Sequence, residues 1–152
     1  MCILENSDMK EYLDFISIVE NRLSSHNQLL TFNKSKILEI LFENSEHLSV
    51  EDIVRISKEK DIELKTTTVY RTLATFEAFG IVDSILVNDK KRYELSYFKQ
   101  PHYHLYCQSC HKISEFESLD IHDKFLIHLK NLEFKPTNFN VIINGVCKKC
   151  QK

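Results

Sequence analysis

Four cysteines near the C-terminus of this 152-residue chain form two Cys-x-x-Cys pairs, Cys107 with Cys110 and Cys147 with Cys150. Two such knuckles supply four soft thiolates, the donor set of a closed tetrahedral zinc site. Zinc held there ties the last strand to an earlier one. The rival readings are a thioredoxin-like redox pair or pairs of buried thiols. A redox pair sits at a helix N-terminus, where its thiolate is stabilised, whereas both pairs here fall at strand ends. Cys2 stands alone and reads as an incidental thiol.

Immediately before the first knuckle, "HYHLYC" spaces His102 and His104 two apart. In a strand those side chains share one face and can converge on one ion. Four thiolates already fill the cysteine site, so this ion is a second one. The bland alternative is a pair of partly exposed histidines on an edge strand. Further ligands must come from elsewhere, and the candidates are His47, Glu94 and Glu115. His111, Lys112, His122 and His128 read as ordinary surface residues. The last two histidines lie six apart, on different faces of a helix.

The elements that must position these groups follow from hydrophobic period and capping. "EYLDFISIVENRL" (11–23) repeats Leu13, Ile16, Val19 and Leu23 at helical spacing, and "NKSKILEILFENS" (33–45) does so through Ile37, Leu38, Leu41 and Phe42. Ser49 and Asp52 form a capping-box variant ahead of Ile53, Val54 and Ile56. "TTTVYRTLATFEAFG" (66–80) opens on threonines, carries Val69, Leu73 and Phe76 on one face and stops at Gly80. Two β-rich runs then flank "NDKK", which reads as a hairpin. Helices followed by a β-hairpin are the plan of a winged helix-turn-helix. Beyond it we expect strands through 102–107 and 112–117, a helix over about 119–132 and a strand through 138–146. The fold class expected is α+β: a winged-helix domain (1–96), a hinge (97–101) and a small α/β domain (102–152).

Composition narrows the function. Hydrophobic residues make up 43% and charged residues 28%, as in ordinary soluble domains, and no apolar run approaches a membrane span. "MCILENSDMK" lacks the order of a signal peptide, so a cytoplasmic protein is expected. The net charge of −2 gives no whole-chain sign of nucleic-acid binding, which must then rest on local placement of Lys and Arg. The helix over 66–80 is the candidate reader, exposing Thr66, Thr67, Thr68, Tyr70 and Arg71 to thymine methyls, guanine edges or phosphates. Lys34, Lys36, Lys90, Lys91 and Arg92 are candidate phosphate contacts. A core helix with a polar flank is the bland alternative. A zinc deaminase needs His-x-Glu with a downstream Pro-Cys-x-x-Cys. No His-x-Glu occurs, and Tyr106 precedes Cys107. An enzyme and a small-molecule substrate are therefore not expected.

These residues together resemble the ferric uptake regulator family of metal-dependent bacterial repressors. "TTVYRTL" with "FEAFGIV" is similar to its recognition-helix segment; "RYEL", "HYHLYCQSCHKISEF" and "GVCKKC" resemble its sensor and zinc segments, in order. The resemblance runs from about residue 29 to 150. It implies a homodimer, with a C-terminal dimerisation domain, that binds an AT-rich palindromic double-stranded DNA operator. It implies structural Zn(II) on Cys107, Cys110, Cys147 and Cys150. It also implies a regulatory divalent metal on His47, Glu94, His102 and His104, with Glu115 as a fifth ligand. That ion would clamp one angle between the two domains. Iron(II) is the metal expected, with manganese or zinc as alternatives. A zinc sensor usually adds a cysteine to this site, and none is spare except the distant Cys2. A peroxide sensor of the same family, acting by histidine oxidation, uses aspartates where Glu94 and Glu115 stand, which favours iron sensing. The out-of-class alternative is a zinc-stapled protein-interaction module.

Four departures from the family pattern stand out. A further His/Asp/Glu site would fall on Pro101, Tyr103, His122 and Phe139, and we expect it to be absent. Leu29 replaces a lysine that enters the minor groove, and "TFNK" carries Asn33 and Lys34 where the pattern before the second helix differs. The extension over 1–26 is long, and its helix is expected to add to the DNA-binding domain.

Overall fold

The structure is a computed structural model that describes residues 6–44, 46–96, 102–136 and 141–151. The chain divides into two compact units, Met1–Tyr97 and Phe98–Lys152. The expected hinge at 97–101 lies outside the described residues, as do Cys2 and Phe139. No described helix is long and apolar enough to cross a membrane.

The first unit runs α1 (Asn6–Ser24), α2 (Phe32–Glu43), α3 (Val50–Glu59), α4 (Thr66–Ala78), β1 (Val82–Val87) and β2 (Lys90–Leu95). Its core is built from Phe15, Val19 and Leu23 of α1, Ile37, Leu38, Ile40 and Leu41 of α2, Ile53 of α3, and Val69, Leu73 and Phe76 of α4. On α1 the inward stripe is Phe15–Val19–Leu23, spaced by four. Leu13, expected inside, is exposed. The 3.6-residue period rotates it away from the stripe. The C-terminus of α1 grips the end of α4. Arg22 Nη1 donates to the Gly80 carbonyl at 2.6 Å, and the His26 ring stacks on Phe79 with centroids 4.1 Å apart. The described part of the extension, residues 6–26, thus belongs to the helical core.

The Ser49 capping box forms as expected. Asp52 N donates to Ser49 Oγ, and Ser49 N donates to Asp52 Oδ2 at 3.0 Å. Gly80 ends the α4 turn at φ +63, a left-handed conformation that glycine adopts without a Cβ clash. The β1–β2 hairpin turns on Asn88 and Asp89, both at positive φ, the two-residue primed turn that matches strand twist. The loop is shorter than "NDKK", and Lys90 and Lys91 already belong to β2.

The second unit comprises β3 (His102–Cys107), β4 (Ile113–Glu117), α5 (Leu119–Asn131) and β5 (Ile142–Gly145), with sheet order β4-β3-β5. β3 pairs antiparallel with β4 and parallel with β5. This central β3 carries the histidines and the first thiol. Ser118 caps α5 by accepting from Ile121 N. No residue of α5 is buried, although Leu119, Phe125 and Ile127 are large and apolar.

Candidate metal centres and the DNA-facing helix

Strand pairing assembles the cysteine centre. Cys107 closes β3, and Gln108 N donates to the Gly145 carbonyl at the end of β5, which sets the first knuckle beside the second. Each knuckle is a tight turn: His111 N donates to the Cys107 carbonyl, and Cys150 N and Gln151 N donate to the Cys147 carbonyl. One sulfur from each of the four cysteines lies within 4.8 Å of all the others, and Cys110 Sγ is 3.8 Å from Cys147 Sγ. A tetrahedron of ~2.3 Å zinc–sulfur bonds spaces its sulfurs by ~3.8 Å, whereas a disulfide needs ~2.05 Å. The donor set and spacing therefore fit zinc. Backbone N–H groups of Cys147, Cys110 and Ser109 aim at Cys107 and bring its thiol down to about 6. Hydrogen bonding with Cys147 and Cys110 pushes Cys150 up to about 12.

Each unit also carries an imidazole beside a carboxylate. In the first unit, Leu48 forms an isolated bridge with Tyr93, donating and accepting at 3.0 and 2.8 Å. That bridge sets His47 alongside Glu94, with Nε2 3.2 Å from Oε2, and both side chains are buried. In the second unit, His104 stands directly across from Glu115, Nε2 to Oε1 3.8 Å. The rings of His102 and His104 lie 4.9 Å apart, as their shared face requires. Both pairs offer the imidazole-nitrogen and carboxylate-oxygen donors that suit a first-row divalent ion.

Two further residues stand beside these pairs. Glu117 stands opposite His102 in the β3–β4 register, and the alternation Glu115-x-Glu117 was the available signal. Arg92, a candidate phosphate contact, donates Nη1 to the His47 carbonyl at 3.0 Å. At the positions of the further site, Tyr103 is fully buried and stacks on Phe116 with centroids 5.1 Å apart. His122, read as a surface residue, is half-buried. His111 is exposed, and its Nδ1 meets the Tyr106 hydroxyl at 2.6 Å.

The DNA-facing candidates sit on one side of α4. Thr66, Thr67, Tyr70 and Arg71 are exposed, Thr68 is half-buried, and Thr72 is buried with Val69 and Leu73. Lys34 Nζ donates to Gln28 Oε1 and the Leu29 carbonyl, and Lys36 pairs with Glu39. Lys91 pairs with Glu77 at 2.9 Å, while Lys90 is exposed at the start of the wing strand. Leu29 and Phe32 are both strongly exposed.

A helix-turn-helix with a wing, followed by a small α/β unit bearing a four-thiol cluster, defines a metal-dependent transcriptional regulator. The family model described as the ferric uptake regulator family matches residues 26–144. The chain belongs to this family, whose members are transcription regulators rather than enzymes. It is 32% identical over 142 residues to the ferric uptake regulation protein of Bacillus subtilis strain 168, covering 89% of this chain and 93% of that one. It is 29% identical over 125 residues to the peroxide operon regulator of the same strain, covering 81% and 84%. The ferric uptake regulator of Francisella tularensis, solved with iron, superposes with a TM-score of 0.64 at 29% identity, covering 80% of this chain and 93% of that one.

Proposed function

We propose that this protein is an iron(II)-responsive repressor that binds AT-rich palindromic operators as a homodimer. In this reading Cys107, Cys110, Cys147 and Cys150 hold a permanent zinc. His47, Glu94, His102 and His104, with Glu115, hold the regulatory ion. The observation that carries the reading is the buried His47–Glu94 pair, an imidazole and a carboxyl group set 3.2 Å apart by strand pairing. A buried imidazole and a buried carboxylate side by side present the nitrogen and oxygen donors that a first-row divalent ion takes. Glutamates at positions 94 and 115 favour iron sensing over peroxide sensing.

His47 and Glu94 come from the winged-helix domain (1–96), and His102, His104 and Glu115 from the dimerisation domain (102–152). These residues transmit metal occupancy only so far as they bind the ion more tightly in the DNA-competent arrangement. Thr66, Thr67, Thr68, Tyr70 and Arg71 read the major groove, while Lys34, Lys90 and Lys91 hold phosphates. The apolar surface of α5 supports a homodimer, because a helix with no buried side chain and with Leu119, Leu126 and Ile127 exposed along one stripe calls for a cover. Two readers related by a two-fold axis address a palindrome.

The test is metal analysis of protein purified without chelator, followed by binding to AT-rich palindromic duplex with iron(II), manganese(II) and zinc(II) in turn. Zinc at one per chain, with binding restored best by iron(II), supports the reading. Oxygen added to His47 or His102 after the iron-loaded protein meets peroxide would replace it with peroxide sensing.

A further inference from the structure

We infer that Arg92 is a positioning residue for the regulatory ion, coupling its His47–Glu94 half to the first turn of α3. The inference rests on the assignment of His47 and Glu94 as ligands. Three successive residues of β2 hold the segment that carries His47. Arg92 donates to the His47 carbonyl at 3.0 Å, Tyr93 exchanges both backbone bonds with Leu48, and Glu94 meets the His47 ring. Arg92 and Glu94 are two apart on a strand and so share a face.

The same guanidinium reaches α3. Arg92 Nη1 lies 3.6 Å from Asp52 Oδ2, the oxygen that accepts from Ser49 N and Ser49 Oγ at the N-cap. Burial alone would raise the Asp52 carboxyl, but hydrogen bonds from Ser49 and the charges of Arg92 and Arg55 hold it below its ordinary value. Arg92 thus joins the His47 carbonyl to the helix cap of the first helix in the helix-turn-helix. Fixing that carbonyl fixes the backbone from which the His47 ring projects. Outer groups that orient a ligand commonly change metal affinity by about 10–100-fold.

The experiment uses the zinc-loaded full chain and cobalt(II), read by its absorption spectrum, with zinc content checked before and after. In the wild type, cobalt fills the second site and slows amide exchange of the peptide spanning 47–55, measured by mass spectrometry. Arg92→Gln is expected to bind cobalt about tenfold more weakly and to lose that slowing, with its zinc unchanged. Arg92→Lys, which keeps one donor, recovers part of both. If Arg92→Gln does not fold, Asp52→Asn decides. It keeps the acceptor at the cap, and a smaller affinity loss in the same direction is expected. Wild-type affinity and slowing in a folded Arg92→Gln, or in Asp52→Asn when that variant decides, would overturn the positioning role alone. A wild type that binds no second ion would overturn the ligand assignment as well.

Discussion

His47 Nε2 lies 3.2 Å from Glu94 Oε2 because Leu48, one residue on, is bonded through both backbone groups to Tyr93. Strand pairing therefore sets the imidazole beside the carboxyl group. Preformed donors lose little conformational freedom on binding, which favours a tight site.

Glu94→Gln keeps the shape of this pair and removes its charge. It is expected to weaken second-site metal binding by at least about tenfold, the lower end of what even outer-shell changes cost. Zinc content should stay the same. Cobalt(II) titration of the zinc-loaded protein measures it, and wild-type affinity would count against Glu94 as a ligand.

Removing zinc should open the second unit. Cys147 and Cys150 follow β5, and Cys107 ends β3, so the four thiolates join the two strand ends. Structural zinc contributes folding energy outright. Chelation with a strong zinc ligand is expected to expose four thiols to a thiol reagent and reduce the β signal in circular dichroism. Zinc loss with the β signal intact would contradict a structural role.

Glu77 joins α4 to the β1–β2 hairpin through Ser84 and Lys91. Burial alone would raise the Glu77 carboxyl, but bonds from Ser84 and Lys91 hold it below 4.5. Hydrogen bonding to Glu77 raises Lys91 above 10.5. The Glu77 contribution is full above pH 4.5 and lost as pH falls through its lowered value. The Lys91 contribution is full below pH 10.5 and lost as pH rises through its raised value. Glu77→Gln is expected to cost about 1 kcal/mol near neutrality, reduced from a buried charged bond by the exposure of Lys91. The cost should vanish in acid. Urea unfolding at several pH values checks this, and a cost independent of pH would contradict it.

Charge on the uncovered face of α5 should separate protomers. Leu119→Glu with Leu126→Glu, seven apart and so on one face of α5, adds two carboxylates to an exposed apolar surface, where burial against a second copy would be costly. Sedimentation is expected to show a dimer for the wild type and a monomer for the double variant. A monomeric wild type would remove the palindrome argument.

The parts of the fold that were legible in the sequence are those set by local period and capping. The α4 stripe, the Ser49 box, the Gly80 stop and the hairpin all obey rules that span a few residues. Both Cys-x-x-Cys knuckles were legible for the same reason, since their chemistry is written in the spacing. Leu13 was misplaced because an apolar residue beside a helical stripe fits two rotations, and only packing against α2 and α4 selects one. Arg92 was out of reach for a different reason. Its partner is a carbonyl 45 residues away, brought close by the Leu48–Tyr93 bridge, and a backbone acceptor leaves no side-chain signature. Glu117 alternates with Glu115 in the sequence, but only the β3–β4 register placed it opposite His102.

The most direct measurement is the affinity of the zinc-loaded protein for AT-rich palindromic duplex, by fluorescence anisotropy under anaerobic conditions, with and without iron(II). Wild type and His102→Ala are compared. The account predicts that iron(II) tightens wild-type binding at least about fivefold, the low end of typical coupling between sites, and leaves His102→Ala unmoved. Equal tightening in both proteins, or none in the wild type, would contradict it.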